Sequence, residues 1–297
     1  MPGPTSKSHP PKWVVSLCRE GLGIEVSLGE ISQIEQTVTN AVAPAVEEAA
    51  VYVQSWDLNI DETPWKERWK RRTLWTMVTT QLSVFTITTG RGAAVLRELV
   101  GEWYSSILTS DRAKVYDSYS LRKRQICWSH LLRDFQAMID RSGPGQVVGA
   151  TLLEHAHGVF AWWHWVRDGT WTRSPFPSYV RTLRASFKME LEWGSQNACP
   201  KTAATCKELL AREAALWTCV RGEGIEPTNN ASERSLRGAV LWRNVSVGTQ
   251  SERGSRFVAS ILTVLISCQQ QHRNALAYLT ACCQAFSANR PVPSLVP

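Results

Sequence analysis

The sequence predicts an α/β protein in which helices flank a mixed β-sheet and an all-helical stretch interrupts the later part of the fold. Three observations predict this class. Residues 56–61 alternate apolar and polar side chains, and residues 72–89 are rich in β-branched and aromatic residues, so both segments indicate strands. Residues 93–140 alternate helical and strand patterns, which is typical of crossover connections. Residues 146–222 show helical spacing without a clear strand.

Composition places the chain among globular proteins and permits an anionic partner. The 297 residues are 43% hydrophobic and 20% charged, and they suffice for one large domain or two ordinary ones. A net charge of +7 is compatible with a polyanion partner, although many soluble proteins are mildly basic. The eight cysteines form no C-x-x-C pair, which favours reduced, mostly packed thiols.

The sequence carries no sign of membrane insertion or secretion. Its first twelve residues lack an apolar core, and the longest apolar runs, such as 257–268, are too short to span a bilayer. We therefore expect a soluble protein of the cytoplasm with no membrane partner.

Residues 1–54 form an N-terminal helical segment in this interpretation. Ser27 and Glu30 make a capping box, and apolar residues follow at helical spacing. Pro44 is expected to end or kink the helix, and a second helical segment runs to about residue 54.

Residues 55–145 are predicted to be the first part of the sheet. The first strand ends at Asp61, and Glu62-Thr63-Pro64 closes it with a turn. A hairpin of 72–81 and 82–89 follows, and a basic patch precedes it, made of Lys66, Arg68, Lys70, Arg71 and Arg72.

The next elements continue the alternation. A helix over 93–104, a buried strand over 107–111, a further helix and a strand over 125–128 are expected, and Ser129 caps a helix that runs to about 140. The predicted order of elements is that of the ribonuclease-H-like fold: three strands, then a helix, a strand, a helix, a strand and a helix. Acids at strand carboxyl ends converge in such sheets, and Asp61 and Asp111 both occupy predicted ends. Alternatively, Asp61 is a turn residue and Asp111 an N-cap.

The remaining segments are a helical insertion (146–222), closing helices (223–289) and a disordered tail (290–297). The insertion carries six tryptophans, of which most are expected in the core and a minority stacked on unpaired bases: Trp162, Trp163, Trp165, Trp171, Trp193 and Trp217. The closing part is predicted to hold a helix over 231–242, a short strand over 244–249, and helices over 253–270 and 274–287.

Glu233 opens the first of these closing helices. With Asn230 as N-cap, Glu233 takes the capping-box position, which is a common structural role. Leu236 and Val240 place Glu233 on the stripe that faces the core, where a charge needs a partner. A metal ion or Arg237 would serve, and these alternatives stay open on the pattern alone.

Asp61, Asp111 and Glu233 together are the residue types that phosphodiester cleavage and transfer require. Two divalent ions bridge the scissile phosphate in such enzymes, and carboxylate oxygens are the ligands that Mg²⁺ prefers. Because the chain has 26 acidic residues, the spacing alone is a weak signal, and the placement at strand ends and on a helix stripe adds weight.

Four segments in this order resemble the catalytic region of the insertion sequence 66 family of DDE transposases. They are Asp61-Glu-Thr-Pro-Trp65, Ser110-Asp111 followed by Tyr116, Cys127-Trp-Ser-His-Leu-Leu-Arg133, and Pro227-Thr-Asn-Asn-Ala-Ser-Glu-Arg-Ser-Leu-Arg237. The resemblance runs from about residue 20 to 286, and its closing stretch is Gly248-Thr-Gln-Ser-Glu-Arg-Gly-Ser-Arg256.

The resemblance implies that Asp61, Asp111 and Glu233 bind two Mg²⁺ (or Mn²⁺) ions. It implies cleavage of DNA at the element end, followed by attack of the freed 3′-hydroxyl on a target phosphodiester. It also implies a ribonuclease-H-like core with a helical insertion before the glutamate, and roles in DNA binding or site support for His130, Arg133, Arg234 and Arg237. For His130, a local helix-start role is the alternative.

The resemblance further implies DNA as partner (element ends and target), a homo-oligomer on DNA, accessory transposition proteins, and a bacterial cytosolic, nucleoid-associated location. Members usually carry further N-terminal segments, including a zinc-binding region and a DNA-binding part, so either those functions lie elsewhere or this chain is a shortened copy. The alternative functions are a catalytically inactive or truncated DNA-binding remnant and a structure-specific nuclease on the same fold.

Overall fold

The computed structural model of the protein describes residues 12–170, 172 and 176–297. Its five strands form one mixed sheet in the order β3-β2-β1-β4-β5, with β1, β2 and β3 antiparallel and β4 parallel to β5. The predicted mixed α/β class is confirmed, and the strand order is compatible with a ribonuclease-H-like fold. The strands are β1 Leu58–Glu67, β2 Lys70–Val78, β3 Ser83–Thr88, β4 Leu108–Ser110 and β5 Arg124–Ile126.

Helices make up most of the rest of the described chain. A π-helical turn (Leu17–Gly21) and short 3₁₀ helices (Lys114–Ser118, Leu121–Lys123, Glu213–Leu216) supplement the α-helices. The α-helices are α1 Lys12–Ser16, α2 Leu28–Val53, α3 Ala93–Val100, α4 Trp128–Asp140, α5 Gly145–Arg167, α6 Phe176–Gly194, α7 Pro200–Ala211, α8 Thr218–Arg221, α9 Asn230–Ser246, α10 Glu252–Gln270 and α11 Ala275–Ser287.

The chain divides into two compact units, each with its own apolar core. The first comprises the described residues up to Tyr104 together with Asn230–Pro297, and the second comprises Ser105–Asn229.

In the first unit, α9 and α10 cover one face of the antiparallel strands. Trp65 and Leu74 of the strands pack in one cluster with Leu236 of α9 and Leu262 of α10. At the outer strand β3, the backbone N–H of Ser83 donates to the Ser267 hydroxyl of α10 at 3.1 Å. The helix thereby satisfies a sheet edge that would otherwise expose unpaired donors.

Helix α2 begins where the sequence predicts, but it is one continuous helix and not two segments. Ser27 and Glu30 form the reciprocal capping box. Of the two effects expected of Pro44, an end or a kink, the end is wrong, because α2 continues through Pro44 to Val53. Tertiary packing outweighs the hydrogen bond that proline removes, since Val42 and Ala45 beside it are buried.

The first strand is longer than predicted. Glu62-Thr63-Pro64 do not form a turn, and β1 stays paired with β2 in continuous register from Asn59 to Glu67. The Pro64 carbonyl accepts from Arg243 Nη1 at 2.6 Å, which fits a position whose backbone polar groups point away from β2.

In the second unit, α4–α7 build a helical core beside β4 and β5. Trp128 and Trp217 meet with ring centroids 5.1 Å apart, and Phe187 lies 5.8 Å from Trp217. Trp162 and Trp217 are buried as predicted, whereas Trp165 and Trp193 are about half exposed, at 43% and 56%. Trp171 lies outside the described residues.

Several element boundaries differ from the prediction. The connection from β4 to β5 holds two short 3₁₀ helices in place of a longer helix, and α3 stops at Gly101, whose φ is +91°. Ser129 lies inside α4, whose N-cap is Cys127. Residues 244–246 belong to α9, and Thr249 alone bridges to Glu67.

The closing helices agree with the prediction, but the final segment is ordered. Residues 290–297 were predicted to be disordered, whereas Leu295 is fully buried and Tyr278 donates a hydrogen bond to the Pro293 carbonyl at 2.8 Å. Burial of Leu295 offsets the entropy that ordering this proline-rich segment costs.

Candidate functional site

Asp61 lies inside β1, not at its end. It is half-buried, and its Oδ1 accepts a hydrogen bond from the Glu62 N–H at 2.9 Å. Because β1 pairs without a bulge, Asp61, Thr63 and Trp65 point to the same face of the strand. Trp65 packs there with Leu236, so Asp61 projects from the face that α9 covers.

Glu233 lies in the first turn of α9 and is half-buried. Two contacts orient this helix on the strands: the Ser235 hydroxyl lies 3.2 Å from that of Ser83 in β3, and Arg243 Nη1 donates to Thr63 Oγ1 in β1 at 2.7 Å. At about 100° per residue, Glu233 lies about 80° around the helix from Arg243 and about 160° from Ser235. Glu233 therefore projects from the β1 side of α9.

These placements bring Asp61 and Glu233 to the same side of the antiparallel strands. Glu233 flanks the buried stripe of α9 and is not at its centre, which Ser232, Ser235, Leu236 and Ala239 form. The expectation of an inward carboxylate is met only in part. Helix α9 begins at Asn230, so Asn230 is not the predicted N-cap, and the preceding Asn229 is fully buried.

Asp111 belongs to the second unit and directly follows β4, as predicted. It is half-buried, and its Oδ1 accepts the Ala113 N–H at 2.8 Å. The 3₁₀ helix that follows begins at Lys114 with Ala113 before it, so Asp111 shapes a tight turn and does not cap that helix.

A buried arginine that the sequence analysis missed fixes the backbone of Asp111. Arg124 has no exposed side-chain surface, and its Nη2 donates to the Asp111 carbonyl at 2.8 Å. The same guanidinium donates to Ser110 Oγ at 3.2 Å and to Asp117 Oδ1 at 3.0 Å, and it lies over the Tyr116 ring. The contacts of Arg124 to Ser110 and to the Asp111 carbonyl hold the turn that carries Asp111.

Asp117 compensates the charge of Arg124 and also binds Arg212. Hydrogen bonds from Arg212 lower the pKa of Asp117, burial opposes this effect, and hydrogen bonds from Arg124 add to it. Burial lowers the pKa of Arg124, and Asp117 counteracts this. Arg124 begins the short strand β5 and directly follows two basic residues, Arg122 and Lys123, so no local pattern marked it as buried.

Two motif segments that are a hundred residues apart in the chain meet at the start of α4. The Trp128 N–H donates to the Pro227 carbonyl at 2.9 Å, and Trp128 Nε1 donates to the Leu216 carbonyl at 2.8 Å. The Cys-Trp-Ser-His and Pro-Thr-Asn-Asn segments are therefore parts of one local structure in the second unit.

His130 and Arg133 lie on α4 with different exposure. His130 is half-buried in the first turn, whereas Arg133 is exposed in the second. Asp134 beside them pairs with Arg112 at 2.9 Å, and burial raises the pKa of Asp134 while Arg112 and His130 oppose that rise.

Arg234 and Arg237 are both exposed on α9. Their positions fit a role in contacting a ligand from solvent more readily than a role in neutralising a buried acid.

In the part of the chain that the structure describes, no three His, Cys, Asp or Glu side chains are grouped as a metal site. The eight cysteines are free, and five of them are buried, as expected of packed thiols. None of the described helices is long and apolar enough to cross a membrane.

The sheet order and the flanking helices define a mixed α/β protein that is compatible with the ribonuclease-H-like class. A family model described as "Transposase IS66 family" matches residues 15–257. The chain belongs to this family, which confirms the resemblance carried by the four motif segments.

A curated relative and the solved structures add little to this assignment. The chain is 25% identical over 206 residues to "Uncharacterized protein y4qI" of Sinorhizobium fredii (strain NBRC 101917 / NGR234). The match covers 64% of this chain and 38% of that protein, so the chain spans less than half the length of this relative. No solved structure matches the chain.

Proposed function

We propose that this protein is a DDE transposase that catalyses DNA strand cleavage and strand transfer of an insertion sequence. The observation that carries the proposal is the family match over residues 15–257, which includes Asp61, Asp111 and Glu233. The placement of Asp61 and Glu233 on one side of the antiparallel strands supports it.

The three acids are the proposed ligands of two Mg²⁺ or Mn²⁺ ions. Carboxylate oxygens are the donors that these hard cations prefer, and all three side chains are half-buried, so they combine partial desolvation with access. The donor chemistry fits, and the proposal does not depend on a cluster already formed in the described residues. When bound, the ions would stabilise the charge on the attacking and leaving oxygens of a phosphodiester.

Each residue has a proposed role of its own. Asp61, Asp111 and Glu233 would hold the two ions, and Glu233 would also orient the nucleophile. Arg124 positions Asp111 through the Asp111 carbonyl, without contact to substrate. His130, Arg133, Arg234 and Arg237 are proposed to bind DNA phosphates or to support the site, and the exposure of the three arginines supports phosphate binding.

The wider proposal follows the family. We propose a ribonuclease-H-like core, with the helices over 145–221 as an insertion before Glu233. The proposed partner is DNA, at the element ends and the target, bound by a homo-oligomer that accessory proteins assist. The proposed location is the bacterial cytosol, in association with the nucleoid.

A strand-transfer assay tests the function. Pre-cut DNA ends taken from the sequences that flank the coding region are incubated with the purified chain, a target plasmid and Mg²⁺ or Mn²⁺. We expect joined products, and we expect Asp61→Asn, Asp111→Asn and Glu233→Gln each to reduce joining by more than about 100-fold, because loss of a ligand exceeds the loss of an outer partner. Glu223→Gln, at an exposed acid outside the trio, should join as the wild type does.

The other outcomes identify the alternative functions. Metal-dependent cutting without joining indicates a structure-specific nuclease. DNA binding with neither cutting nor joining indicates a remnant without catalysis, and either result contradicts the transposase proposal.

A further inference from the structure

The turn between β1 and β2 carries the most exposed large hydrophobic side chain of the described residues. Trp69 is 94% exposed, and the preceding Arg68 adopts a positive φ of +54° that turns the chain between Glu67 and Lys70. We call Lys66–Arg71 the hairpin tip. A tryptophan held almost wholly in water at a turn has no role in packing the fold, so it is available to a ligand.

The outer surface of the hairpin tip is cationic. Lys66, Arg68, Lys70 and Arg71 are all exposed. The one acid in this stretch, Glu67, is buried, and it accepts hydrogen bonds from Arg72 at 2.8 Å and from Ser255 at 2.8 Å. Glu67 is buried and paired with Arg72, and it is the one acid beside four exposed cations, so the hairpin tip keeps a net positive charge.

The base of the hairpin tip is held by the segment that precedes α10. The Arg68 N–H donates to the Thr249 carbonyl at 2.7 Å, and the Thr249 N–H donates to the Lys66 carbonyl at 2.8 Å. Arg68 Nε donates to the Gln250 carbonyl at 2.6 Å, and Trp65 Nε1 donates to Thr249 Oγ1 at 3.1 Å. Trp69 therefore projects from a fixed backbone, which lowers the entropy lost when it binds a partner.

We propose that the hairpin tip binds DNA, with its lysines and arginines on backbone phosphates and Trp69 stacked on an unpaired base. Cations recognise the phosphate backbone irrespective of sequence, and an aromatic side chain stacks on any base. The charge on the tip favours DNA over an apolar protein surface. The inference rests on the proposed function, in which DNA is the substrate.

The length of β1 separates this contact from the chemistry. Six residues of strand and part of the turn lie between Asp61 and Trp69, which corresponds to about 20–25 Å at about 3.3 Å per residue. Trp69 is therefore out of reach of a phosphate bound at Asp61. Its replacement should weaken DNA binding without removing the capacity to join strands at saturating DNA.

The first test measures binding of the full chain to two fluorescein-labelled 30-base-pair probes, one intact and one with a central single-stranded gap. We expect Trp69→Ala to weaken binding to the gapped probe by about 5- to 150-fold, the range of one aromatic–base stack, with a smaller effect on the intact probe. Trp69→Phe should retain most of the affinity. Trp103→Ala removes a tryptophan that is 89% exposed away from the tip and should match the wild type.

The second test isolates the charges. Lys70→Gln combined with Arg71→Gln should reduce the slope of log affinity against log salt by about two for the intact probe. Lys201→Gln combined with Lys207→Gln removes two exposed lysines from α7 and should leave the slope unchanged. Unfolding midpoints equal to that of the wild type establish that the variants are folded.

Wild-type binding of the gapped probe by Trp69→Ala, or equal losses in Trp69→Ala and Trp103→Ala, would overturn the inference. This outcome is separable from failure of the proposed function. If the carboxylate variants lose joining while Trp69→Ala binds normally, the tip proposal alone fails. If Trp69→Ala loses gapped-DNA binding while the carboxylate variants still join strands, the catalytic proposal alone fails.

Discussion

At the scale of single residues, Arg124 shows how a buried cation is tolerated. Its guanidinium is fully buried, and three acceptors surround it: Ser110 Oγ, the Asp111 carbonyl and the Asp117 carboxylate. A buried charge of this kind persists only when it is paired and hydrogen-bonded. Asp117 is the only one of the three acceptors that carries a charge.

Replacing Asp117 by Asn should therefore destabilise the second unit. The change keeps the shape of the side chain but removes the charge that compensates Arg124. Because the Asp117 side chain is 36% exposed, solvent screens the pair, and the expected loss is about 1–2 kcal/mol, less than for a fully buried pair. Urea unfolding at pH 7 measures the loss in free energy of unfolding. Asp140→Asn, at an exposed position at the end of α4, should stay within about 0.5 kcal/mol of the wild type.

The pairing of Asp117 with Arg212 and Arg124 also predicts how the free energy of unfolding depends on pH. Hydrogen bonds from Arg212 and then Arg124 lower the pKa of Asp117 from 3.8, so its contribution to stability is present above that value and is lost as pH falls below it. The difference in unfolding free energy between wild type and Asp117→Asn should be constant from pH 7 to about 5 and should shrink below 3.8. A difference that grows on acidification contradicts this account.

Sequence patterns located some residues better than others. The position of Asp111 after a buried strand was predictable, because a short apolar run indicates that strand. Arg124 was not found, since burial of a cation depends on Asp117 and Arg212, whose proximity no local spacing reveals. Similarly, the side of α9 that carries Glu233 follows from helical periodicity, but its place at the flank of the buried stripe depends on tertiary packing.

At the scale of elements, the long β1–β2 hairpin depends on a close approach at Gly248. Its φ is +93°, and a Cβ atom added there would lie 2.2 Å from the Lys66 carbonyl oxygen. The Thr249 segment can pair with the hairpin only because residue 248 has no side chain.

Gly248→Ala should consequently destabilise the first unit by about 3 kcal/mol, from backbone strain and the clash with Lys66. The urea unfolding midpoint measures the effect. Gly238→Ala is the matched control, because a Cβ atom at that exposed position of α9 meets no atom within 4 Å, and it should raise stability by about 0.5–1 kcal/mol. Equal behaviour of the two variants contradicts the proposed close approach.

The bounds of an element were predictable where a local sequence signal sets them. They were missed where tertiary packing or strand pairing sets them. The capping box of Ser27 and Glu30 placed the start of α2, but the continuation through Pro44 depends on packing. Pro64 suggested a turn, yet β2 offers a full register of partners, so β1 runs on to Glu67. The strand end at Asp61 was wrong for this reason, while the acid itself remains a candidate ligand.

At the scale of the whole molecule, the described residues form two compact units, and each unit contains an apolar core. One contains Trp128, Phe187 and Trp217 of the second unit, and the other contains Trp65, Leu74 and Leu236 of the first. The mixed α/β class and the helical stretch were predictable because alternation and helical spacing are chain-wide patterns. The division into two compact units was not predictable. The second unit, Ser105–Asn229, begins inside the segment 55–145 that the sequence assigns to the first part of the sheet.

Core truncations should affect each unit separately. Trp217→Ala removes a fully buried indole and should cost about 3–5 kcal/mol, and Leu74→Ala should cost about 2–5 kcal/mol in the other core. Hydrogen exchange read by mass spectrometry should accelerate mainly in Ser105–Asn229 for the first variant and mainly in β1, β2 and β3 for the second. Uniform acceleration along the chain in both variants contradicts separate cores.

The division of the chain also bears on its synthesis. The second unit is continuous, whereas the first needs residues from both sides of it, including α9 and α10. On a translating ribosome, the whole of Ser105–Asn229 emerges before α9 and α10, the helices that cover the antiparallel strands, have been synthesised. The nascent strands must therefore stay unaggregated for more than a hundred residues of elongation, several seconds or longer at about 5–20 residues per second.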